Sequence, residues 1–277
     1  MDERAGETPL ELEGALATPA GASVTDDVAA VPPLPLAKSL RWKDLALALA
    51  VIWGVNFAIQ LLAGFAIGIY AAIDHVDFLS LFMQPKVLLP LTLAGWIVGI
   101  VMAWYCACAR GGASAREGFA VRPVSWRVLA AAAMLGLFGA IVAGAIGTRV
   151  HGSHSVMSKL VVVHTENGHN RPSLLMFGFA LLAPVFEEIY YRGFVFTALS
   201  KLASTWTAFV VVSIWFGLIH AFQLAGDWVF LFWVACMGVL WSVLRVRYNS
   251  IAPSMTCHWV YNASLVGAGV VGWLFSS

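Results

Sequence analysis

From Leu45 onward, long apolar stretches alternate with short polar joints, and the stretches are of a length that crosses a bilayer. A crossing helix needs about 20 predominantly apolar residues. Such runs recur over 45–73, 87–109, 128–148, 174–199, 206–224, 228–244 and 251–275. The fold class this predicts is all-α, a polytopic membrane bundle of about seven transmembrane helices. The first run is the longest, and Gly64 and Gly68 mark where it is expected to tilt or break. HVDFLSLFMQPK at 75–86 reads as a segment lying along the interface. Trp42, Trp104, Trp126, Trp206, Trp228 and Trp273 fall near the ends of the runs, where an aromatic belt belongs.

The first 40 residues follow another pattern. MDERAGETPLELEG is acidic and VPPLPL is proline-rich, with no basic stretch leading into an apolar core. That pattern is not a signal peptide, and it predicts a disordered tail over 1–40 ahead of an integral membrane domain over 41–277.

Composition sharpens this picture. The chain has 277 residues, 60% hydrophobic and 11% charged, with a mean hydropathy of +0.83. A soluble domain carries about 25% charged residues, so the bilayer is the first partner. The net charge of +1 selects no class of partner, and no nucleic-acid partner is expected. Cys106, Cys108, Cys236 and Cys257 all lie in apolar stretches without CxxC spacing, which predicts buried free thiols.

Charge placement predicts orientation. With the N-terminus in the cytoplasm, the cytoplasmic segments hold Lys38, Arg41, Lys43, Arg110, Arg116, Arg122, Arg127, Lys201, Arg245 and Arg247. The opposite side holds Lys86, Arg149, Lys159 and Arg171. The excess of basic residues supports a cytoplasmic N-terminus, and with seven spans a C-terminus outside. A bacterial inner membrane suits this pattern, with the endoplasmic reticulum as the eukaryotic counterpart. The sequence carries no internal repeat of the kind that builds inverted-repeat transporters.

Polar groups at membrane depth supply the candidate chemistry. Each charged group there costs roughly 2.5–3.5 kcal/mol on insertion scales. The fourth run nevertheless contains Glu187, Glu188 and Arg192, the fifth His220, and the seventh His258 and Asn262. Glu188 and Arg192 are i,i+4 and can pair on one face. Glu187 points about 100° away, beside Tyr190 and Tyr191, which leaves it free to act as a general base. Pro184 removes a backbone donor and can kink the helix, opening room for water. Phe216 and His220 are i,i+4, so the ring can pack over the imidazole. His258 and Asn262 are also i,i+4, and both can donate to a single oxygen, as an oxyanion site needs. Each piece also has a structural reading. A lone intramembrane histidine can satisfy a neighbouring helix, and a span asparagine can be interhelical glue.

FEEIYYRG holds EExxxR at Glu187, Glu188 and Arg192; FGLIH is FxxxH at Phe216 and His220; HWVYN is HxxxN at His258 and Asn262. In order and spacing these three resemble the CPBP family of type II CAAX prenyl endopeptidases and bacteriocin-processing enzymes, over a core at about 174–265. The resemblance implies an intramembrane glutamate-type endopeptidase. It makes Glu187 the base that activates water and His220 the group that helps hold it. It makes His258 and Asn262 the oxyanion site, supported by Glu188, Arg192 and Phe216. The implied substrate is a peptide or protein, prenylated or otherwise membrane-associated. No cofactor is favoured.

Two rival readings remain, with a transporter or proton relay as a third. In a zinc-dependent metalloendopeptidase, Glu187, His220 and His258 would be the ligands. The chain lacks HExxH, and HTENGH at His164 to His169 has the wrong spacing. The loop histidines His151, His154, His164 and His169 read as solvent-facing. The other rival is a non-proteolytic membrane scaffold, chaperone or bacteriocin-immunity protein on the same fold. GxSG and GxGD motifs are missing; Leu224-Ala-Gly-Asp227 lacks the first glycine of the latter.

Overall fold

The computed structural model describes residues 40–82, 84–149, 162–164, 170–172, 174–221, 224 and 227–276. The expected tail, up to residue 39, lies outside them, as do His151, His154 and His169. Helix α1 spans Trp42–Asp74, and a single turn and a half, α2, follows at Phe78–Phe82. Helix α3, Pro85–Trp104, continues into a π-helical segment at Tyr105–Arg110. The short α4 (Ala115–Gly118) precedes α5, Trp126–Arg149. Strands β1 (Val162–His164) and β2 (Asn170–Pro172) pair antiparallel, with Val163 opposite Arg171. Helix α6, Leu174–Glu187, runs through a second π segment, Glu188–Val195, into α7, Phe196–Leu202. Helices α8 (Thr205–Ala221), α9 (Trp228–Tyr248) and α10 (Ile251–Ser276) complete the chain.

The fold is an all-α membrane bundle, and its long helical bodies fall on the seven apolar runs. Among the described residues, four helices are long and apolar enough to cross a membrane: Trp42–Asp74, Lys86–Arg110, Trp126–Gly147 and Trp228–Tyr248. Thr205–Ala221 is apolar but shorter. Large apolar side chains such as Phe57, Phe65, Phe138, Leu218 and Phe232 face outward, as a lipid-facing surface requires. Trp42, Trp104, Trp126, Trp206 and Trp228 are likewise exposed, as belt residues must be.

Two expectations are corrected. Helix α1 is unbroken through Gly64 and Gly68 over its 33 residues. At 1.5 Å per residue that is roughly 50 Å, longer than the hydrocarbon core, so tilt or overhang accommodates it rather than a break. Helix α9 runs on to Tyr248 instead of ending near 244. Arg245 is 2% exposed, so it is a bundle residue and not a charge of the surface loop.

Two apolar clusters meet at the centre. One gathers Leu45, Ala48, Cys106, Phe194, Phe196 and Val212 from α1, α8 and the π-containing rods. The other gathers Ala132, Ala140, Phe216, Trp241, Cys257 and Tyr261 from α5, α8, α9 and α10. Tyr191 packs on both. Gly136 of α5 lies so close to α10 that a Cβ there would collide with the Cys257 carbonyl. This small-residue contact seats α10, and with it His258, against α5. Two polar joints are tied together: the Arg122 N–H donates to Ser250 Oγ at 3.3 Å, and that hydroxyl donates to the Arg122 carbonyl at 2.8 Å.

Candidate active site

Pro184 determines the local backbone of α6. Having no N–H, it cannot donate to the carbonyl of Ala180, four residues earlier. A bare carbonyl in a membrane interior costs free energy. Asn262 of α10 fills the gap, its Nδ2 donating to the Ala180 oxygen at 2.8 Å. The expected pairing of His258 and Asn262 on one oxygen is therefore modified. One of Asn262's two amide hydrogens is already used as interhelical glue, and the other remains.

Just after Pro184 the helix widens. Glu187 closes α6 and Glu188 opens the π segment. Such wide turns leave helical carbonyls without their usual partners and occur often at functional sites. The Phe196 N–H reaches back five residues to the Tyr191 carbonyl. Where five-residue pairing reverts to four-residue pairing, one carbonyl is skipped. The next carbonyl, that of Arg192, takes the Arg245 Nε–H of α9 at 3.0 Å. Arg245 also donates to Thr197 Oγ1 at 3.0 Å and Asn249 Oδ1 at 3.2 Å.

Glu188 is fully buried and committed. Its Oε1 accepts from Arg192 Nη1 at 3.1 Å and lies 3.1 Å from His258 Nδ1. Arg192 Nη2 donates to the Gly238 carbonyl at 3.0 Å, and its guanidinium lies 4.2 Å over the Phe216 ring. Phe216 thus faces both the cation and, at 4.5 Å between ring centres, His220.

Glu187 is the uncommitted carboxylate. Its side chain is 13% exposed, and Oε2 lies 3.8 Å from His258 Nε2. It opens onto a cavity of about 440 Å³ whose polar lining includes His220, His258 and Asn262. Apolar walls come from Trp96, Phe186, Phe230 and Leu265 among others. Glu188 and Arg192 stand behind this wall and do not line it.

Hydrogen-bond chemistry assigns the histidine protons. An ionised carboxylate only accepts, so His258 Nδ1 carries the hydrogen facing Glu188, and Nε2 of the neutral ring is bare towards Glu187. His220 Nδ1 lies 2.8 Å from the Phe216 carbonyl, another acceptor, so its Nε2 is also bare. A histidine anchored at one nitrogen and bare at the other resembles a metal ligand. Among the described residues, however, no three His, Cys, Asp or Glu are placed to hold a metal ion. Cys106 and Cys257 are buried free thiols; Cys108 and Cys236 are half-buried free thiols.

The motif residues therefore converge, on two levels. Glu187, Phe216, His220, His258 and Asn262 line one cavity; Glu188 and Arg192 brace it from behind. Sequence reasoning placed α9 as a span but missed its part in the site. Trp241 stacks on His258 with ring centres 3.5 Å apart, and Gly238 and Arg245 hold the π segment. The signal was the i, i+3, i+4, i+7 stripe of Gly238, Trp241, Ser242 and Arg245 in an otherwise apolar run.

Neither a curated protein nor a solved structure matches this chain. Residues 169–264, which carry all three motifs, match the family described as type II CAAX prenyl endopeptidase Rce1-like. The match covers only part of the chain, and it agrees with the CPBP resemblance of the motifs within it.

Proposed function

We propose that the protein is an intramembrane endopeptidase that hydrolyses peptide bonds with water activated by Glu187. The observation that carries this reading is one cavity lined by a free carboxylate, two histidines with bare Nε2 atoms and an amide with a spare hydrogen. Glu187 takes a proton from a water as its oxygen bonds to the scissile carbonyl carbon. His220 Nε2 accepts the water's other hydrogen and orients it. The carbonyl electrons move to oxygen, where the second Asn262 N–H meets them. One such donor is typically worth about 3–4 kcal/mol to the transition state.

His258 enters at a later stage than the motif resemblance implies. Its resting Nε2 has no hydrogen to give an oxyanion. Glu187 passes its proton across to Nε2, forming an imidazolium balanced by Glu188, much as a buried carboxylate orients and balances a catalytic histidine elsewhere. Nε2–H then supports the oxyanion and protonates the leaving amine as the C–N bond breaks. Water has then supplied one hydrogen to the amine and a hydroxyl to the new acid.

The substrate is a peptide or protein held at the membrane, and the apolar cavity walls suit one bearing a prenyl group or an apolar side chain. The setting proposed is a bacterial inner membrane with the N-terminus cytoplasmic. The test is cleavage of quenched fluorescent peptides, farnesylated CAAX peptides included, by detergent-purified protein beside Glu187→Ala, with and without chelator. Chelator-resistant cleavage that disappears in the variant supports this reading. Loss in chelator with recovery in Zn²⁺ moves it to the metal-dependent version. Equal cleavage by the variant overturns it.

A further inference from the structure

Helix α9 contributes nothing to the three motifs, yet one of its faces touches each of them. Gly238 accepts from Arg192, and its missing side chain lets α9 approach Phe216, whose Cδ1 would lie 2.9 Å from a Cβ there. One turn on, Trp241 is 1% exposed and lies flat against His258, with 17° between ring planes and 3.5 Å between centres. Phe216 and Tyr261 meet the indole at steep angles, at 5.4 and 5.9 Å, and keep it from turning.

The Cβ–Cγ bond and the hydrogen bond from Nδ1 to Glu188 hold the His258 ring along one edge, Cγ to Nδ1. Within the angular tolerance of that hydrogen bond the far edge can still rock, carrying Nε2 out of line with Glu187. A flat, immobile partner against the ring face removes that freedom. We propose that Trp241 is a positioning residue for the hydrolysis: its indole holds the His258 ring in the plane that keeps Nδ1–H on Glu188 and Nε2 towards Glu187. The kinetic part of this proposal rests on the proteolytic reading; the ring placement does not.

Because Trp241 also lines the cavity, its two roles must be separated. Trp241→Leu and Trp241→Phe are compared with wild type for kcat and KM, and for the ¹⁵N signature of His258 in selectively labelled protein. Positioning predicts that Trp241→Leu loses about tenfold or more in kcat with KM within about threefold. Trp241→Phe, which keeps a flat ring, recovers most of that rate. In the nitrogen spectra, wild type and Trp241→Phe hold the Nδ1–H tautomer, whereas Trp241→Leu shows a mixture. Raised KM with unchanged kcat, or a single tautomer in the leucine variant, overturns the proposal. Trp241→Met substitutes if the leucine variant does not fold. If wild type cleaves no peptide, the proteolytic reading is what fails, and the nitrogen spectra alone decide the placement of the ring.

Discussion

Glu187 and Glu188 are neighbours in opposite surroundings, and Glu→Gln at each separates the duties proposed for them. Glu188→Gln leaves Arg192 buried without its carboxylate and puts a neutral amide, a weaker acceptor, where the carboxylate anchors His258. Breaking a buried pair from one side destabilises by about 3–5 kcal/mol. Thermal unfolding in detergent should therefore show a large loss for Glu188→Gln. Glu187→Gln removes a carboxylate that makes no comparable bond, so stability should hold while cleavage falls by orders of magnitude. The reverse pattern would exchange their roles. The pairing of Glu188 was legible in the sequence because i,i+4 spacing places it on Arg192. The partner of Asn262 was not read, since it depends on which carbonyl is bare. In principle Pro184 announces it: a proline at 184 strips Ala180, and a donor on a facing helix must answer. The stack of Trp241 on His258 was hidden for another reason. One tryptophan in an apolar helix looks like any other until its neighbours are known.

At the level of elements, the rod from Leu174 to Leu202 is held open by side chains from other helices. Pro184 and Asn262 should behave as a coupled pair. With proline present, Asn262→Ala strands the Ala180 carbonyl; with Pro184→Ala, a backbone N–H can take that carbonyl instead. A double-mutant cycle on unfolding should give a coupling of about 0.6–1.7 kcal/mol, the range of membrane hydrogen bonds. Additive effects would mean that Asn262 does not serve the break made by Pro184. Arg245 does the equivalent for the π segment. Arg245→Leu strands the Arg192 carbonyl, at about 1–3 kcal/mol, and Arg245→Lys should restore only part because one ammonium cannot span all three acceptors. Full rescue by lysine would point to charge rather than fork geometry. The periodicity of the fourth run predicted a helix but could not predict its widening. An inserted residue's worth of π turn changes which carbonyls are free without changing the apolar pattern. Arg245 was misjudged for a related reason: hydropathy ended the helix at the first charges, whereas the bundle buries one of them.

Across the whole molecule, the two polar joints bound to each other fix which ends of the helices lie together. Ser250 precedes α10 and Arg122 precedes α5, and their mutual hydrogen bonds put both joints at one end of the bundle. The Ile251 N–H reinforces this by donating to the Ala120 carbonyl at 3.0 Å. The joint after α1, around Asp77, belongs to the other end if α3 crosses once. Moving Arg245 into the bundle leaves nine basic residues on the proposed cytoplasmic side against four opposite, so the bias survives the correction. Asp77 and Arg116 are both exposed, one on each side of α3. In a background where the native thiols are replaced, Asp77→Cys should react with a membrane-impermeant maleimide on intact cells. Arg116→Cys should react only after permeabilisation. The opposite pattern would turn the protein over in the membrane and bring α1 in from outside. Labelling of both from one side would mean that α3 does not cross. The orientation then also decides access, because a protease whose joints near Arg122 and Ser250 face the cytoplasm would meet substrates made there.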